Sequence, residues 1–149
     1  MFKATILGSV ILLAAAPPAP QATKAKTYAV IVNPKNKCSA KDDKAKAIIK
    51  KLFLKQMSQW PDGTPAKPYG RKSAAAEQSK FVKTVLGMGD AELVRHWIKM
   101  KNMKGTTPPK GVKSDRMLFK YVAKHAGAFG VVKLSDAKKQ KGVKILYSF

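Results

Sequence analysis

Apolar and polar positions change period several times along this chain, and each change marks an element. Thr27 to Val32, TYAVIV, is a β-branched apolar run stopped by Asn33-Pro34, which predicts a buried strand. From about Asp42 the period becomes helical. Ala45, Ile48, Ile49, Leu52 and Phe53 recur on one face with lysines opposite, and Asp42 and Asp43 stand where a helix dipole favours acids. Pro61-Asp62-Gly63 then predicts a turn, and PAKPY after it a short strand.

Three further helical stripes follow. Phe81, Val82, Val85 and Leu86 form one, ended by Gly87 and Gly89. Leu93, Val94, Trp97 and Ile98 form the next, with Asp90 as the expected cap. Met117, Leu118, Tyr121 and Val122 form the third, behind Ser114. Two strands are expected at the end: AFGVV from Ala128 and VKILY from Val143. Strands apolar on both faces, interleaved with helices, predict an α/β domain with a partly parallel sheet. Leu52, Phe53, Trp97, Leu118, Tyr121 and Ile145 are its expected core residues.

The N-terminus adds a compartment. Lys3 precedes an uncharged run from Ala4 to Ala16, shorter than the roughly 20 residues a bilayer span needs. Prolines and small residues follow. Residues 1–22 are expected to be a signal peptide cut after Ala22, with a window from Ala16 to Ala25, leaving residues 23–149 as the mature domain. The competing reading is an uncleaved anchor. After cleavage no integral span is expected, and the protein would be periplasmic or secreted. The single Cys38 cannot form an internal disulfide and reads as a small packed residue.

Charge adds a ligand class. Thirty Lys+Arg against eight Asp+Glu give a net charge of +22 over 149 residues. Such an excess attracts anions, small or polymeric. Because 45% of residues are hydrophobic, a packed core rather than disorder is expected. Catalytic patterns are lacking. His96 and His125 have no metal-ligand spacing, and there is no G-x-S-x-G, glycine-rich phosphate loop or C-x-x-C. The expectation is a non-enzyme without metal or cofactor.

Several segments, in order, then point to one family. They are YAVIVNPKN, LFLKQMSQWPDGTPAKP, FVKTVLGMGDAELVRHW, GTTPPKGVKSDRMLFKYVAKHAGAFGVV and KGVKIL. Together they span about Tyr28 to Leu146. The chain resembles short secreted single-lobe relatives of ABC-transporter phosphate-binding proteins. The resemblance implies a single α/β lobe of the periplasmic binding protein-like type, with a mixed, mostly parallel sheet flanked by about four helices. It also implies anion capture in a turn before a helix, here within YGRKSAAAEQSKF. Ala75 and Gln78 stand where the family has Ser and Arg. Arg71, Lys72 and Ser73, just upstream, are therefore the expected anion-binding residues, with Ser73 also the expected helix cap. The competing reading makes them solvated charges and a plain cap.

Three functions remain open on the sequence. The first is an accessory to ABC transport or sensing that binds phosphate or a related oxyanion and works with a transporter or sensor. The second is a polyanion binder for nucleic acid, lipopolysaccharide or anionic lipid. The third is a partner-binding lobe without a small ligand.

Overall fold

The computed structural model describes residues 25–72 and 74–149, so the expected signal peptide and Ser73 lie outside the described residues. The elements are β1 (Tyr28–Val32), α1 (Asp42–Phe53), β2 (Lys67–Arg71), α2 (Ala76–Phe81), a π-helical continuation (Val82–Leu86), α3 (Asp90–Lys104), β3 (Lys110–Val112), α4 (Asp115–Lys124), β4 (Ala128–Lys133), α5 (Leu134–Lys139) and β5 (Lys144–Ser148).

One five-stranded sheet runs in the order β3-β2-β4-β1-β5. β2 is parallel to both β3 and β4, while β1 is antiparallel to β4 and β5. The sheet is therefore mixed, with parallel pairings on one side and antiparallel ones on the other. Its two faces are both covered, which explains the unbroken apolar runs of β1 and β4. Val30 and Val32 join α1 residues Ala45, Ile49 and Leu52 in one core cluster. Ala29 and Ile31 point to the other face and join α4 residues Leu118 and Val122.

The Trp60-Pro61-Asp62-Gly63 turn is scaffold. Gly63 N–H donates to Trp60 O at 2.9 Å, Thr64 N–H donates to Asp62 Oδ1 at 2.9 Å, and Gly63 has φ +85. That backbone favours glycine. Trp60 is buried. Its Nε1–H donates to Gly127 O at 2.9 Å, and its ring meets Phe129 edge-on at 5.3 Å. The Trp thus pins the turn before β2 to the entry of β4. Gly127 is needed there, because an added Cβ would sit 1.7 Å from Pro65 O.

Several expectations change. Leu52, Phe53, Trp97 and Leu118 are core, and Tyr121 is half-buried, but Ile145 is exposed. β5 is an edge strand, and Leu146 and Tyr147, at a register shift in its pairing with β1, pack on the α1 cluster instead. In α3 the apolar pairs do not share one buried face. Trp97 is buried and Leu93 and Met100 half-buried, whereas Val94 and Ile98 are exposed. One hundred degrees per residue carries positions 94 and 98 round to solvent once 93, 97 and 100 face inward. Met117 is exposed too. Gly89, not Asp90, is the N-cap position of α3, with Asp90 its first helical residue. Ser114 does cap α4: its Oγ accepts from Met117 N–H at 3.3 Å.

Candidate anion site at the end of β2

β2 ends at Arg71, where the connection to β3 leaves on one face of the sheet and the connection from β3 to β4 returns on the other. In α/β sheets a crevice opens beyond the carboxyl ends of strands at such a reversal. The register Arg71↔Val112 brings the ends of β2 and β3 side by side. The start of α4 follows immediately after β3 and so reaches Arg71.

Side-chain alternation divides the strand end into two environments. Tyr69 and Arg71 point to the α4 face. Tyr69 is buried and stacks on Tyr121 of α4 at 5.2 Å and 14°. Burial, with a smaller contribution from Tyr121, holds the Tyr69 phenol above its ordinary range. Lys110 Nζ lies 5.6 Å from the centroid of the Tyr121 ring, a cation–π contact on the same cluster. Gly70 points to the opposite face, towards Phe53 Cζ and Gln78 Oε1, each 3.9 Å from where its Cβ would stand.

Arg71 is the unusual group. Its side chain is only 8% exposed, and Nη2 lies 2.7 Å from Asp115 Oδ1, itself on a side chain 32% exposed. The contact is close but poorly aligned, because Asp115 Oδ1 accepts no hydrogen bond of acceptable geometry. Among the described residues, Arg71 Nε and Nη1 have no partner at all. A buried guanidinium with one ion pair and two unpaired nitrogens is expensive, since each unmade bond forfeits about 1–3 kcal/mol of solvation. One carboxylate leaves Nε and Nη1 unmatched among the described residues, and guanidinium donors of this kind pair with carboxylates and phosphates.

The other expected residues are less committed. Lys72 is exposed beside Arg71. α2 begins at Ala76 with Ala75 at the N-cap position and no side-chain cap. The turn is closed instead by Ala75 N–H donating to Lys72 O at 2.9 Å. Gln78 takes a positioning role: buried, it accepts from Arg71 N–H through Oε1 at 2.9 Å and so fixes the strand end to α2. Asp115 escaped the sequence reading, because only the β2–β3 pairing brings it near Arg71. Both histidines lie elsewhere. His96 Nε2 is 3.1 Å from Leu54 O, and His125 sits below its ordinary pKa through desolvation, with Lys67 and Lys124 adding to the shift.

Solved structures share this arrangement of strands and helices. An ABC-type phosphate transport receptor from Vibrio cholerae superposes with a TM-score of 0.60 over 82% of this chain, at 15% identity. The chain has the periplasmic-binding-protein fold of the phosphate receptors. PstS from Borrelia burgdorferi superposes with a TM-score of 0.58, also over 82% of the chain, at 14% identity. The chain spans about half the length of the receptors it matches, 46% of the first and 47% of the second. No protein-family model matches the sequence, and no curated protein matches it.

Proposed function

We propose that this lobe binds phosphate or a related oxyanion at the carboxyl end of β2, outside the cytoplasm, as a non-enzymatic accessory to ABC transport or sensing. The observation that carries the reading is Arg71: a guanidinium 8% exposed whose Nε and Nη1 have no partner among the described residues. Two further facts support it. The fold is shared with phosphate receptors, and the position is where parallel strands of α/β sheets receive ligands. Arg71 supplies a fixed cation held from behind by Asp115, Lys72 adds charge at the rim, and Gln78 holds the strand end in place. Ser73 is a candidate hydroxyl donor by its place in the sequence. No helix among the described residues is long and apolar enough to cross a membrane.

Calorimetric titration of phosphate at physiological salt tests this. Wild type should bind with a defined stoichiometry, and Arg71→Ala should lose roughly 1.5–3 kcal/mol, the scale of a hydrogen bond to a charged group. Lys37→Ala is the control. Lys37 follows β1, whose end at Val32 is level with the start of β2, so it lies at the far end of the strand. Equal losses from both variants, with binding to heparin or DNA that falls steeply with salt, would replace the site by a diffuse polyanion surface.

A further inference from the structure

A cavity of about 250 Å³ opens on the other side of the same strand end. Phe53, Val82, Leu93, Trp97 and Pro108 give it apolar walls, and Gly70, Arg71 and Gln78 line it at the strand. Gly70 is what leaves this space. A Cβ there would meet nothing closer than 3.8 Å, at Pro109 O, so no steric conflict demands glycine. The backbone does not demand it either, since Gly70 is absent from the positive-φ glycines. Two residues join the cavity to the anion site. Arg71 belongs to both, and Gln78 lines the cavity while its Oε1 accepts the Arg71 N–H at 2.9 Å. Arg71 is the last residue of β2, so the cavity lies at the same strand end as the guanidinium. The acid on the cavity's rim, Asp90, is on an exposed residue at the start of α3.

Bare phosphate has no use for an apolar chamber beside its cation. We infer that the ligand is an oxyanion carrying a small apolar substituent, an organophosphonate or organophosphate whose charged head meets Arg71 while its substituent fills the cavity behind Gly70. The inference rests on the oxyanion reading above and specifies its ligand class. The volume suits a substituent about the size of one aromatic ring, below the range usual for drug-sized ligands. Apolar area removed from water then supplies the selectivity, and the guanidinium supplies the charge recognition.

Calorimetry with phosphate, methylphosphonate and phenylphosphonate decides the matter. Phenylphosphonate should bind wild type about tenfold more tightly than methylphosphonate, a ratio set by burial of the ring. Gly70→Val, which grows into the cavity from the strand, should bring that ratio close to one. Leu93→Trp fills the same space from α3 and should do likewise, so the test survives if one variant fails to fold. Equal affinities for the two phosphonates, or a preference that persists in both filled variants, would overturn the inference and leave the oxyanion site standing. No heat from phosphate or either phosphonate would overturn both.

Discussion

Arg71 Nη2 and Asp115 Oδ1 lie 2.7 Å apart, tying the last residue of β2 to the first residue of α4. The pair satisfies that buried cation only in part, because Arg71 Nε and Nη1 keep no partner among the described residues. Asp115→Asn keeps the shape and removes the charge. It should cost about 1–3 kcal/mol in urea denaturation, less than a fully buried pair would, since Asp115 is a third exposed. Phosphate should then raise the melting temperature of the variant more than that of wild type, because the anion replaces the lost negative charge. An unchanged stability would mean that Arg71 does not depend on Asp115.

The core prediction follows from burial. Leu52, 1% exposed between α1 and the sheet, should cost about 2–5 kcal/mol when changed to alanine. Ile145, 36% exposed on the edge strand, should cost under about 1 kcal/mol. Thermal or urea unfolding of the two variants checks the ranking, and a reversal would contradict the strand order.

Gly127→Ala should be far worse than Gly63→Ala, although both glycines adjoin the Trp60 turn. At Gly127 the new methyl would stand 1.7 Å from Pro65 O and force apart the two segments that Trp60 Nε1–H links. The expected loss exceeds about 3 kcal/mol, beyond ordinary overpacking. At Gly63 nothing lies within 4 Å, and the cost is only that of holding alanine at φ +85, on the order of 1 kcal/mol. Circular dichroism melts of the two variants compare them directly.

Tyr69 gives an alkaline signature. Its folded pKa lies above the ordinary phenol value of 10.0 because burial disfavours the phenolate. The unfolded chain therefore releases the proton first, and stability present below pH 10.0 declines as pH rises beyond it. Tyr69→Phe should flatten this decline while keeping the ring stacked on Tyr121. An equally steep alkaline loss in the variant would assign the effect to another group.

Where burial is continuous or strictly periodic, the sequence was readable. TYAVIV and AFGVV are apolar throughout because both faces of β1 and β4 are covered, and α1 shows its stripe because one face alone is buried. β3 was missed since Lys110-Gly111-Val112 is three residues long with only Val112 buried. α5 was missed because it is one short helix holding a single buried residue, Ala137. In α3 spacing alone could not say which members of the stripe face inward, and Val94 and Ile98 face solvent. At the site, Arg71 and Lys72 stood out as charges near a strand end. What made Arg71 distinctive, its burial and its imperfect partner Asp115, arises from a parallel pairing that no local pattern records.

The measurement closest to the central claim is nitrogen NMR of the arginine side chains during phosphate titration at physiological salt. The chain has three arginines, Arg71, Arg95 and Arg116, so each Nε–H signal can be assigned by single substitution. Arg95 and Arg116 are exposed and serve as internal controls. The Arg71 Nε–H signal should move and saturate at one phosphate per chain while the other two stay nearly fixed. Three signals drifting together, or an Arg71 signal that never moves, would contradict an oxyanion site built on this guanidinium.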